Sequence, residues 1–167
     1  MHNPGTNAPQ SPADGPLPIP YTAEEVGRTF VTLLATFNVA YELHELGIGS
    51  LSIFKRSQAK KRFTALCIAL WHVALEKSFP NDAAAFFTHF KETYPPLVGE
   101  SRGARKMREL LDRYDALVSK KKDGDFTRVA EDFIDSFNLV PADRPKLQLK
   151  MSLRIRTVYD LIFKKLI

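Results

Sequence analysis

Apolar residues recur at helical spacing through most of the chain, and this pattern predicts a series of α-helices. The first predicted helix covers residues 21–47, where Thr22 and Glu25 form a capping-box pattern and Gly47 supplies a stop. Its apolar stripe consists of Val26, Phe30, Leu33, Phe37, Ala40 and Tyr41.

The second predicted helix runs over about 57–79 and is expected at the centre of the molecule. It is polar and basic at first and then apolar on nearly every side, which is typical of a helix surrounded by others. Pro80 follows it, and Asn81 is placed to cap a third helix over 82–94, which Pro95 ends.

Two further helices follow, and together the pattern predicts an all-α fold. The fourth helix covers about 101–118, with a stripe of Met107, Leu110, Leu111, Tyr114 and Leu117. The fifth begins at Asp125 or Thr127 and closes at Asn138. With no internal repeat and no alternation of strands and helices, we expect an antiparallel helical bundle of about five or six helices.

The segment 146–156 fits both a strand and a helix. Apolar and polar residues alternate along it, yet Leu147, Met151, Ile155, Val158, Ile162 and Leu166 also share one helical stripe. The helix is favoured because good helix formers dominate and no β-branched residue occurs from 146 to 154. Leu149 and Leu153 would then lie off the main stripe. A strand would need a pairing edge, for example from a second copy in self-association.

Composition divides the chain into three predicted parts. The first 20 residues hold six of the 11 prolines and predict a disordered Pro-rich tail. Residues 21–143 form the predicted bundle, and 144–167 form a basic amphipathic segment packed on it or extending from it. No secretory signal pattern is present, and the apolar run 63–75 is too short to span a bilayer, so a cytoplasmic location is expected.

Positive charge is concentrated in three places. The net charge is +5, and residues 144–167 hold seven bases against one acid, Asp160. A second block lies at 55–62, and a third at 102–108, at the start of the fourth helix. Cations are unfavourable at a helix N-terminus, so an anionic partner would explain this third block. The other interpretation is that all three blocks are solvated surfaces.

Catalytic and metal-binding patterns are not evident, and we expect neither an enzyme nor a cofactor. The single cysteine, Cys67, lies in an apolar run, as a buried structural thiol would. The four histidines lack metal-binding spacing. Asp123 and Asp125 resemble the start of a calcium loop, but Arg128 and Ile134 occupy the positions that need Gly and Glu.

The leading hypothesis is a non-catalytic helical subunit whose basic residues contact an anionic partner, with nucleic acid as the first candidate. The predicted contact residues are Lys55, Arg56, Lys60, Lys61, Arg62, Arg102, Arg105, Lys106, Lys146, Lys150, Arg154 and Arg156. Binding would be largely independent of base sequence. The alternative is an assembly factor, chaperone or adaptor that docks Leu149 and Leu153 into an acidic-rimmed groove of a partner protein. A membrane surface is a third, less favoured partner.

Overall fold

A computed structural model describes residues 21–46, 53–119, 125–137 and 143–166 of the chain, and these residues form an all-α bundle. No strand occurs within these ranges. The predicted Pro-rich tail, Gly47, Asp123 and Asn138 lie outside them. The helices are α1 (Ala23–Thr36), α2 (Val39–Glu45), α3 (Ile53–Ser78), α4 (Ala83–Thr93), α5 (Arg102–Ser119), α6 (Thr127–Asp135) and α7 (Arg144–Leu166).

The single helix predicted for residues 21–47 is two helices, so that prediction was wrong. The capping box at its start is confirmed: the Glu25 amide donates to the Thr22 hydroxyl at 3.2 Å. Phe37, however, is extended, and the Asn38 side chain accepts the Tyr41 amide at 3.2 Å to start α2. A side-chain cap competes with continued helix, and the change of direction leaves Tyr41 57% exposed instead of buried.

Helix α3 lies at the centre of the bundle, as its all-round apolar sequence predicted. Residues 65–71, together with Ala74 and Leu75, are at most 1% exposed. The Trp71 ring stacks on Phe30 of α1 with centroids 4.4 Å apart and meets Phe90 of α4 at 4.8 Å. These aromatic contacts join three helices in one core.

Helix α4 starts one residue later than predicted and without the predicted cap. Asp82, not Asn81, occupies the N-cap position and makes no side-chain cap hydrogen bond. Backbone bonds hold this start instead, because the Ala83 amide donates to the Phe79 carbonyl at 2.8 Å. The helix ends at Thr93 before Pro95, in agreement with the prediction.

The ambiguous C-terminal segment is a helix. The apolar face of α7 packs against α3 and α6 through Leu147, Met151, Ile155, Val158 and Ile162, each at most 9% exposed. Leu149 and Leu153 lie off this stripe, with 64% and 55% of their surfaces exposed, as expected for the helix. Within the described ranges no helix combines the length and apolar character needed to cross a bilayer.

Helices α1 and α4 run antiparallel to α3. Tyr21, before the start of α1, meets Phe79 after the end of α3, with ring centroids 6.3 Å apart. Phe37, at the other end of α1, meets Phe63 in the first half of α3 at 6.0 Å. Helix α4 follows α3 after the short link 79–82 and turns back along it.

Helix α7 runs antiparallel to α6 and parallel to α3. Asp135 at the end of α6 pairs with Arg144 at the start of α7. Phe133, near the end of α6, meets Phe63 in the first half of α3 at 6.5 Å. At the other end, the Lys77 amino group lies over the Tyr159 ring, 5.4 Å from its centroid.

Helix α5 also runs parallel to α3. Ser57 near the start of α3 lines the same cleft as Arg102 at the start of α5. Further along both helices, His72 Nδ1 lies 2.7 Å from Asp115 Oδ1. Helices α3, α5 and α7 therefore point the same way, and their N-terminal ends lie at one end of the bundle.

Candidate anion-binding site

The N-terminal parts of α3, α5 and α7 carry the three basic blocks, which the bundle brings to one end. None of these helices has an acidic residue in its first turn, and neither does α4 or α6. We call this region the basic end and define it by Lys55, Arg56, Lys60, Lys61, Arg62, Arg102, Arg105, Lys106, Lys146 and Lys150.

A cleft between α3 and α5 joins two of the three blocks. Lys61 and Arg62 of α3 face Arg102 and Lys106 of α5 across a space of about 360 Å³. The remaining lining residues are Ser57, Gln58, Gly103 and Leu110, so no acidic side chain lines the cleft. Lys60 and Arg105 belong to the same two blocks but are exposed outside the cleft, as are Lys55 and Arg56.

The cations of the cleft have no acidic partner. Lys61, Arg62, Arg102 and Lys106 form no ion pair with any residue that the structure describes. Arg102 and Lys106 are four residues apart on α5, a spacing at which like charges destabilise a helix by about 0.2–0.5 kcal/mol. Within the described residues, no ion pair compensates their positive charges.

The first turn of α5 adds backbone donors to the cleft. The Ser101 hydroxyl accepts the Ala104 amide at 3.1 Å, and the Ser101 carbonyl accepts the Arg105 amide at 3.0 Å. The amides of Arg102 and Gly103 have no acceptor among the described residues. At Gly103 a Cβ would meet only the Ser101 hydroxyl, at 3.7 Å, so the backbone at this wall is open. Such a helix start favours anions.

A buried hydroxyl lies close to the cleft residue Arg62. Tyr114 is 0% exposed, and its hydroxyl has no hydrogen-bond partner in the described part of the chain. Burial raises the pKa of Tyr114, while the neighbouring guanidinium of Arg62 acts in the opposite direction. Arg62 is therefore close to this oxygen without donating a well-formed hydrogen bond to it. An unsatisfied buried hydroxyl costs about 1–3 kcal/mol.

Basic residues of α7 differ in their surroundings. Arg154, one of the predicted contact residues, forms an ion pair with Glu42 of α2, whose side chain is only 7% exposed. Its charge is thus used inside the protein. Lys146 and Arg156 are exposed and form no ion pair with described residues, and Lys150 lines a groove beside α2.

This second groove lies between α2 and α7 and has exposed apolar walls. Its volume is about 420 Å³, and Tyr41 and Leu153, both more than half exposed, line it with Leu46 and Thr157. Glu45 and Lys150 contribute opposite charges. We call it the α2–α7 groove. Tyr41 was missed from sequence because its helical spacing placed it on the buried stripe of a single helix; Asn38 was the available signal for the break.

Residues with catalytic or metal-binding side chains have structural surroundings. Cys67 is 0% exposed, and burial raises the pKa of its thiol far above the usual range. His72 stacks on Phe87 with centroids 3.7 Å apart and links α3 to Asp115 of α5. Within the described residues, no three His, Cys, Asp or Glu side chains form a group that could hold a metal ion.

Comparisons with protein-family models, with curated proteins and with solved structures found no match to this chain. Its function therefore has to be inferred from the geometry and charge of the described residues.

Proposed function

We propose that this protein is a non-catalytic nucleic-acid-binding subunit that contacts the phosphate backbone through the basic end. One observation carries the proposal: basic blocks that are far apart in sequence lie at the starts of three parallel helices, and two of them line one cleft. The placement is unfavourable for cations in a first helical turn, such as Arg102 of α5 and Lys146 of α7, because a helix N-terminus already carries a partial positive charge. A polyanion would compensate such charges on both helices.

Backbone binding needs no base-specific contacts. The cleft is lined by cations, small polar groups and Leu110, and neither exposed tyrosine of the described residues, Tyr21 or Tyr41, lines it. Stacking of bases on aromatic rings is therefore not part of the proposal. Affinity would come from phosphate contacts and the counterions they release, so it would be independent of base sequence and steeply dependent on salt.

The test is fluorescence anisotropy with a labelled single strand at several salt concentrations. The variant Lys60→Gln with Lys61→Gln removes two charges from the basic end. The control, Lys164→Gln with Lys165→Gln, removes two charges from exposed lysines at the other end of α7. Two lost phosphate contacts should reduce the slope of log affinity against log salt by about 1.4, whereas the control should keep its slope. Absence of binding at low salt, or equal losses in both variants, would overturn the proposal.

A second candidate function, docking of a partner protein, is favoured by the α2–α7 groove. Leu149 and Leu153 project from α7, and Tyr41 is exposed on the other wall of the groove. Apolar side chains beside charges suit a protein groove better than a phosphate backbone. The variant Leu149→Ser with Leu153→Ser should remove specific partners from a pull-down in cells that naturally express the protein. The control is Val98→Ser, at another exposed apolar residue. An unchanged set of partners would contradict this candidate.

A cytoplasmic location belongs to the same proposal. Cell fractionation tests it directly, and recovery of the protein with membranes after a salt wash would contradict it.

A further inference from the structure

We infer that the cleft between α3 and α5 holds the terminal phosphate group of a single-stranded nucleic acid. This rests on the proposed function and goes further, since it assigns one site and one chemical group. The basic end would then attract the strand, and the cleft would bind the phosphate at the terminus of that strand.

The cationic donors of the cleft lie on two helices that border the same space. Lys61 and Arg62 approach from α3, and Arg102 and Lys106 from α5. A guanidinium presents paired N–H groups that match two phosphate oxygens, and an ammonium group adds a compact point charge. Two of each line a space of about 360 Å³, which is large enough for a terminal phosphate together with its nucleotide and too small for a double helix.

Backbone donors complete the site on the α5 side. The amides of Arg102 and Gly103 lack acceptors among the described residues, and no side chain at Gly103 covers them. A phosphate oxygen can therefore reach the helix N-terminus itself. This arrangement places the backbone amides of α5 and the Lys and Arg side chains around the same position.

The charge of the cleft favours a phosphomonoester over a phosphodiester. Four cations line it without any acid, and none is paired with a described residue. An internal backbone phosphate carries one negative charge, whereas a terminal phosphate carries about −1.5 to −2 near pH 7. The terminal group therefore compensates more of the repulsion among these side chains.

The Tyr114 hydroxyl lies outside the lining of the cleft, beside the guanidinium of Arg62. It is fully buried and makes no well-formed hydrogen bond with the described residues. Arg62 carries five N–H groups, enough to serve a bound phosphate and the Tyr114 oxygen together. A phosphate in the cleft would hold Arg62 in the orientation that satisfies both.

The experiment compares two labelled single strands of identical sequence, one with a 5′-phosphate and one with a 5′-hydroxyl, by fluorescence anisotropy. The protein should bind the phosphorylated strand at least about tenfold more tightly, the effect of one charge-assisted hydrogen bond. The variant Lys61→Gln with Lys106→Gln should lose this preference.

The matched control is Lys60→Gln with Arg105→Gln, which removes the same charge from the same two helices outside the cleft. It should weaken binding of both strands and keep the preference for phosphate. Circular dichroism of both variants checks that they fold alike.

Four results would overturn the inference. Equal affinity of the protein for both strands would do so, while leaving the proposed function in place if binding still weakens steeply with salt. A preference that survives in the cleft variant would place the phosphate elsewhere. Inorganic phosphate that binds as tightly as the phosphorylated strand would make the cleft a site for the free ion. Failure of both strands to bind would overturn the proposed function as well.

Discussion

Replacing Arg154 should destabilise the fold without weakening the binding of nucleic acid. Arg154 pairs with Glu42, whose side chain is 7% exposed, while the arginine side chain is 37% exposed. The variant Arg154→Ala leaves a buried carboxylate without its partner. Removing one member of a buried ion pair costs about 3–5 kcal/mol. Because this arginine is partly solvated, we expect the lower limit, about 3 kcal/mol.

Replacing Glu42, the other member of the ion pair, should lower the free energy of unfolding by a smaller amount. Glu42→Gln keeps a polar side chain in the buried position and leaves Arg154, which can reach water. We expect a loss of about 1 kcal/mol, the usual value of one hydrogen bond. This asymmetry follows from the different exposure of the two side chains and distinguishes a buried ion pair from a surface one.

Urea unfolding followed by circular dichroism measures the free energy of unfolding of both variants. The variant Arg156→Ala is the control. Arg156 is exposed two residues further along α7, and its replacement should change stability by no more than about 0.5 kcal/mol. Equal stability of Arg154→Ala and the parent protein would refute the reasoning. So would a flattened salt dependence of nucleic-acid binding in a fully stable Arg154→Ala variant.

Three further predictions concern the core, a helix cap and the cysteine. Trp71→Ala should lower the free energy of unfolding in urea by about 3–5 kcal/mol, because the ring is fully buried between aromatic neighbours. Hydrogen bonds from Thr22 lower the pKa of Glu25, so the carboxylate stabilises the fold above its unfolded pKa and this contribution disappears as pH falls through the folded pKa. Glu25→Gln should therefore be less stable than the parent protein at pH 7 and equally stable in strong acid. Cys67 should resist alkylation in the folded protein and react after denaturation, since burial raises the pKa of its thiol.

Each of these has a clear contrary result. A loss below 1 kcal/mol in Trp71→Ala would mean that the ring is not packed as described. A constant difference between Glu25→Gln and the parent protein across the acid range would contradict the capping interaction. Rapid alkylation of Cys67 without urea would show that it is accessible to solvent.

The helices themselves were predictable because helix formation depends on neighbouring residues. The capping box of Thr22 and Glu25, the central position of α3 and the exposed side of Leu149 all followed from spacing along the chain. The break at Asn38 was missed because helical spacing continues across it, and only the competition between a side-chain cap and the next helical turn decides the outcome.

Electrostatic roles could not be assigned from the residue types. Arg154 and Lys61 both stand in basic blocks, yet one neutralises a buried glutamate and the other faces a cleft. The contact between Arg154 and Glu42 joins positions 112 residues apart. No local pattern indicates such a partner, since the two charges meet only because α2 and α7 both pack against α3.

By itself, the sequence determined where apolar and polar residues recur, and so where most helices form and which faces they bury. It also placed positive charge near three helix starts. Only the tertiary structure decided that these starts lie at one end, because α3, α5 and α7 are separated by antiparallel helices and must point the same way. Charge is local to a residue, but an electrostatic site depends on which distant residues the fold brings within reach of one ligand.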